Sequence, residues 1–318
     1  MTDRHKECRH EQYLGARIRA LAMRFACHIL LLWLSSLAMY SQAATLMVIV
    51  PSPTALTEEF VDELTRERTG DKILVHSLDT EPPNMAVNAD VIITMGVASL
   101  ERQLAKGSST PVIATYVSQS SLNESALKEL PRHARVILAN PKPERQLRLA
   151  KLLIPRLRTA ALLHSSVDTD QLSHWIRAAD SNDVKLNIAE LAAPEDLART
   201  LVSTLDRSDV LMGLDDRSIF NADNLKTILL TSYTRDRVLI GPSAPFIAAG
   251  SLSTTFSSPA DMARSVDYLL DNPASDARLE YPRFFSVLSN QQVARSMGFA
   301  PPDDAALAAE LVRVEDTQ

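Results

Sequence analysis

Short, continuous apolar runs separated by helix-patterned segments constrain the fold of this chain more than any other feature. They lie at 46–50, 73–77, 91–95, 112–117, 136–139, 160–163, 185–191, 210–214 and 238–240. β-Branched residues recur in them, and most do not alternate with polar residues. A strand that faces water on one side alternates; a strand covered on both faces does not. The pattern therefore predicts parallel sheets with helices on each side. The segments between suit helices. Residues 57–68 (TEEFVDELTRER) open with a Thr cap and acids in the first turn, and stop before Gly70. Residues 143–153, 194–205 and 259–270 each begin at Pro with acids following, as helix starts do.

Two blocks of this pattern are visible. One runs from Ala44 to about 140, and the other follows the helix at 143–153. After about 251 the alternation loosens into STTFSS, a helix, YPRFFSVLS and two short terminal helices. The expected fold is α/β, with two Rossmann-like lobes built on parallel sheets. Lobe 1 is expected at 44–140 plus about 253–278, and lobe 2 at 141–252 plus about 279–318.

The N-terminus bounds where such a chain works. Arg24 precedes an apolar run at about 29–39, and Ser41 and Ala43 stand at the −3 and −1 positions of a signal-peptidase site. The run is shorter than the roughly 18–20 residues a membrane anchor needs, and no second such stretch follows. Residues 1–43 are expected to be an extension and cleaved export signal. Translation begins either at Met23 or ahead of a long n-region. The mature protein would then be a soluble periplasmic chain starting near Ala44. Both cysteines, Cys8 and Cys27, lie upstream of it. The mature part therefore has no disulfide, thiolate metal site or cysteine nucleophile.

Six of the 33 Lys/Arg and three of the 39 Asp/Glu precede Ala44, so the mature part carries a formal charge of −9. That acidity argues against nucleic acid as a partner. Hydrophobic residues make up 46% of the chain, ample for a buried core.

Four segments carry a family resemblance. Ala89-Asp90-Val91-Ile92-Ile93-Thr94-Met95-Gly96 resembles a "(P/A)DLIVALGT" strand and turn. Residues 240–252, IGPSAPFIAAGSL, resemble "VIGPSRAFVEAGGLL". The helix from Ser258 to Leu270 resembles "DPEDLGRQAARLL", and 285–298 resembles "FELVINLKTAKALGL". In this order they are similar to the ABC-transporter substrate-binding family of the tryptophan/tyrosine-binding type, which has the type I periplasmic binding protein fold. The match covers most of the mature chain. The chain departs from the family at Val97-Ala98, where Thr-Pro is usual, at Ser118-Gln119-Ser120 and at His164-Ser165-Ser166. Those are cleft-facing loops in the family, so its ligand contacts are not carried across.

In open parallel sheets, ligands sit beyond the carboxyl ends of the strands. Here those ends carry Ser52, then Gly96, Val97, Ala98 and Ser99, then Tyr116 and Ser118, then Ser165, Asp215 and Asp216, and Ser243. Hydroxyls and helix-N-terminal amides suit a carboxylate, Asp215 or Asp216 an ammonium, and Tyr116 a ring or apolar group. Ser and Asp are also the usual N-caps, so each of these residues has a capping reading too. Gly96 is explained by the backbone of a strand-to-helix turn.

Nothing assembles a nucleophile, base and orienter. GPSAP is not a G-x-S-x-G elbow, no G-x-G-x-x-G follows a strand, and no His pair has metal-ligand spacing. No enzyme activity, cofactor or metal is expected. The resemblance implies a monomeric periplasmic solute-binding protein that delivers a small organic solute to an inner-membrane ABC permease. The alternative is a ligand-sensing subunit for a membrane receptor or kinase.

Overall fold

The apolar runs assemble into two sheets in the computed structural model, which describes residues 43–79, 88–123, 129–165, 169–273 and 277–317. The expected export signal up to residue 42, with both cysteines, lies outside the described residues, as does Ser166.

The first sheet has the order β11-β5-β4-β3-β1-β2. Its strands are β1 (Thr45–Val50), β2 (Lys72–Ser77), β3 (Val91–Met95), β4 (Val112–Val117), β5 (Ala134–Leu138) and β11 (Leu279–Glu280), all parallel. The second sheet repeats that arrangement as β12-β10-β9-β8-β6-β7. It comprises β6 (Thr159–His164), β7 (Lys185–Glu190), β8 (Val210–Met212), β9 (Leu239–Ile240), β10 (Ser253–Phe256) and β12 (Ser286–Ser289). Among the described residues only the β10–β12 pair is antiparallel.

The continuous runs are explained by cover on both faces. In β1 and β3, Val48 and Ile93 face one buried cluster, and Ile49 and Ile92 face the other. Side chains alternate sides along a strand, so a strand clad twice must be apolar at every position. Each fully buried Val or Ile contributes about 2 kcal/mol.

On one face of the first sheet lies α1 (Ala55–Glu67), packed against α9 (Pro259–Asp271). Phe60 and Leu64 of α1 meet Met262, Ala263, Val266 and Leu269 of α9. Arg68 ties the two helices, donating to Asp267 at 3.0 Å and Asp271 at 2.7 Å. The other face carries α2 (Val97–Leu104), whose Leu100 is fully buried. The N-cap of α1 is Thr54 rather than Thr57. The two form a capping box in which Thr57 fills the third helical position.

The chain crosses between sheets three times, after β5, after β10 and after β11. Two expected boundaries shift as a result. The segment from about 253, expected with the first lobe, pairs with β9 and β12 in the second sheet. Leu279 and Glu280, expected with the second lobe, pair with β5 in the first.

Helix α4 (Pro143–Leu153) organises the second lobe through Gln146, which is 1% exposed. Its Nε2 donates to the Gly241 carbonyl at 2.9 Å and to Thr254 Oγ1 at 3.1 Å. Its Oε1 accepts from the Thr255 amide at 2.9 Å and Thr255 Oγ1 at 3.2 Å. A buried amide satisfied on both ends fixes α4 against β9 and β10. The neighbouring Arg145 donates to the Pro282 carbonyl at 2.7 Å and grips Glu315 through two nitrogens at 2.8 and 2.9 Å. It thereby pins the third crossing and the C-terminal helix α11 (Asp304–Glu315) to the second lobe.

Candidate functional site

Both sheets place a strand-order reversal between their first-entered strand and the next, β1/β3 in one and β6/β8 in the other. Loops leaving such points open a crevice at the carboxyl edge. The loops after β4, β5, β8 and β9 enclose a cavity of about 270 Å³ there. It is lined from the first lobe by Ser118 and Asn140, and from the second by Asp215, Asp216, Arg217, Phe220, Ser243 and Phe246. The lobes touch beside it, where Asp215 Oδ2 accepts the amide of Ser120 at 2.9 Å.

The structure sorts the sequence-derived candidates. Ser118, Asp215, Asp216 and Ser243 come together around this cavity. Ser165 reaches it only through Asp216. The Asp216 carboxylate is fully engaged by its own loop and by the loop after β6. Oδ2 accepts from the amide and hydroxyl of Ser165 at 2.7 and 2.8 Å, and Oδ1 accepts from the Ser218 amide at 3.0 Å and from its hydroxyl. Burial pushes the Asp216 carboxyl up, but the bonds from Ser218 and Ser165 outweigh it and leave the group below its ordinary value. Asp216 fastens the β6 and β8 loops together, whereas Asp215 faces the opposite lobe.

Ser118 is also a local cap, accepting from the Ser121 amide at 3.1 Å at the start of α3 (Gln119–Asn123). Ser52, Gly96, Val97, Ala98 and Ser99 stand at the same sheet edge but do not line the cavity. Ser52 serves α1 by accepting the Thr57 hydroxyl at 3.2 Å through its carbonyl. Gly96 has φ +78°, the left-handed turn its position requires. Ser99 is fully buried, its hydroxyl without a partner among the described residues. It is therefore not open to a ligand carboxylate.

Tyr116 is turned elsewhere. Its backbone has φ +55°, and its ring packs edge-on against Phe60 at 5.7 Å, inside the α1–α9 face. Burial, helped by Glu59 and Asp261, pushes its hydroxyl well above the ordinary tyrosine value. It stacks on the core of its own lobe, not across the cavity.

Asn140, Arg217, Phe220 and Phe246 also line the cavity, and none of them is among the ligand-binding candidates read from the sequence. Asn140 follows a strand end as Ser118 does, and its Oδ1 accepts the Gln119 amide at 2.7 Å. Phe220 and Phe246 meet edge to face at 6.4 Å and form an apolar wall. Gly213 keeps the floor tight, since a Cβ there would sit 2.6 Å from the Pro242 nitrogen.

Two sheets of mostly parallel strands with flanking helices, in two lobes joined by three crossings, define the type I periplasmic binding protein-like fold. No family model and no curated protein matches the sequence. Solved structures do. The ligand-free, open structure of a substrate binding protein with adhesive properties from Clostridium difficile is similar at TM-score 0.62 and 14% identity, over 82% of this chain and 97% of that one. The ABC domain in complex with L-Trp from Streptococcus pneumoniae is similar at TM-score 0.50 and 13% identity, over 84% and 98%. A conserved domain protein from Vibrio cholerae gives the same values. At such identities the likeness is one of fold.

Proposed function

We propose that this chain is a periplasmic solute-binding protein that takes a small organic solute between its lobes and delivers it to an ABC permease. The observation that carries the reading is the inter-lobe cavity at the carboxyl edges, with Asp215 reaching across to the other lobe. A solute seated there touches both lobes, so its binding energy favours the closed arrangement. Two of the similar structures are a substrate binding protein and an ABC domain in complex with L-Trp.

The lining chemistry favours an amino-acid-like solute, in keeping with the tryptophan/tyrosine-binding resemblance. Asp215 is the carboxylate for an ammonium, because Asp216 is consumed by Ser165 and Ser218. Arg217 is exposed at the rim and supplies a cation for a carboxylate. Phe220 and Phe246 supply the apolar wall. A cavity of about 270 Å³ sits at the small end of ligand sites, suiting a compact solute. The monomeric state and export through a cleaved signal belong to the same proposal.

Calorimetric titration of the protein with amino acids tests it. Binding by the wild type, weakened at least tenfold in Asp215→Asn and retained in Asp216→Asn, supports the assignment. Binding unaltered by Asp215→Asn removes the ammonium site.

A further inference from the structure

A second, larger groove lies away from the cavity, where the third crossing passes between the lobes. Its volume is about 900 Å³. Its walls are α9 and the β5–β11 edge of the first lobe, α4 and the end of α11 of the second, and the crossing segment itself. The three guanidinium–ring stacks found among the described residues all line it. Arg145 lies over Phe285 at 3.9 Å, Arg264 over Phe284 at 3.9 Å, and Arg283 over Tyr268 at 4.5 Å. The last two are reciprocal. Arg264 and Tyr268 sit one turn apart on α9, and each meets one of the adjacent pair Arg283 and Phe284.

The charges in this groove do not cancel locally. Asp271 is taken by Arg68, Glu280 by Arg135 at 2.8 Å, and Glu315 by Arg145. Asp316 is the remaining carboxylate, exposed at the end of α11. Arg264 and Arg283 are exposed, and their guanidinium groups have neither a carboxylate nor a hydrogen-bond partner among the described residues. A ring occupies one face of each guanidinium, which orients the group and leaves its in-plane N–H edge free. Lys142 is ion-paired with Glu315 at 3.5 Å, a carboxylate it shares with Arg145, so the unspent cations of the groove are Arg264 and Arg283. Oriented planar donors with unspent charge are what recognise oxyanions.

We propose that this groove is a binding site for a small multivalent oxyanion, phosphate- or carboxylate-bearing, held by Arg264 and Arg283. The proposal goes beyond the solute cavity and does not depend on it.

The test is calorimetric titration of the full protein at low ionic strength with pyrophosphate and, separately, with citrate. The expected result is saturable one-to-one binding of at least one of them. Pyrophosphate alone would identify a phosphate ligand, and citrate alone a polycarboxylate. Arg264→Gln with Arg283→Gln should weaken that binding at least tenfold. Arg264→Lys with Arg283→Lys keeps the charge but loses the fork, and should fall between. Asp215→Asn, in the other cavity, should leave it unchanged. If the glutamine pair does not fold, as judged by its circular dichroism, the lysine pair decides alone, with wild-type affinity overturning the site. Absence of binding by either anion, or equal binding by wild type and the folded glutamine pair, overturns it as well.

Discussion

Replacing Asp216 by Asn separates a structural carboxylate from a ligand-binding one. The wild-type group accepts four hydrogen bonds, two from Ser165 to one oxygen and two from Ser218 to the other. Asn offers only one acceptor oxygen, so one residue's amide and hydroxyl lose their partner. Hydroxyls can turn to water in this half-buried loop, and the stranded backbone amide dominates the cost. A hydrogen bond to a charged group contributes about 1.5–3 kcal/mol, which puts the loss near 2 kcal/mol. At roughly 2–4 °C per kcal/mol for a chain of this size, the melting temperature should fall by about 4–8 °C. The carboxyl's folded pKa lies below its unfolded value of about 3.9, so its stabilisation is present above that pH and is lost as pH falls through the folded value. Urea and thermal melts of both proteins should therefore differ most near neutrality and converge below about pH 4. A variant that melts within about 1 °C of wild type at pH 7 would refute this account of the loop.

Gln146→Leu strands the buried Thr255 amide and removes a partner of the Gly241 carbonyl, and should cost about 3 kcal/mol or more in denaturant unfolding. Gly213→Ala pushes a methyl against the Pro242 backbone and should cost about 1–3 kcal/mol, while Gly70→Ala, with nothing within 4 Å, should be neutral. Asp215→Asn should leave the melt nearly unchanged but weaken an ammonium-bearing solute by roughly 2–5 kcal/mol in calorimetry, because it leaves the ligand's charge unpaired.

The sheets were legible because strands clad on both faces must be apolar throughout, and Val48, Ile49, Ile92 and Ile93 meet that demand in sequence. The start of α1 was less so. PTALTEE offers two threonines three residues apart, and in the structure Thr54 is the cap while Thr57 completes the capping box from the third helical position. Site residues were legible only as positions at strand ends. Asp215 and Asp216 are chemically identical neighbours, and nothing local says that one turns inward to Ser165 and the other outward to Ser120. Tyr116 looked like a stacking ring because aromatic groups at a carboxyl edge often are. Its positive φ falls at the break in β4–β5 register between Ala114 and Val117, and its contact with Phe60 depends on a helix more than 50 positions earlier in the chain. Phe220 and Phe246 were hidden for the same reason, since their edge-to-face wall joins loops far apart in sequence.

The central claim is that the two lobes close on a small solute. It is tested most directly by a thermal-shift screen of the purified protein against amino acids, nucleosides, sugars and metal chelates. A ligand that binds only the folded state at 100 times its Kd adds about 2.7 kcal/mol, which a melt resolves readily. A saturable upward shift from an ammonium-bearing solute is expected, abolished or sharply reduced in Asp215→Asn. A panel in which no solute raises the melting temperature of the wild type would contradict it.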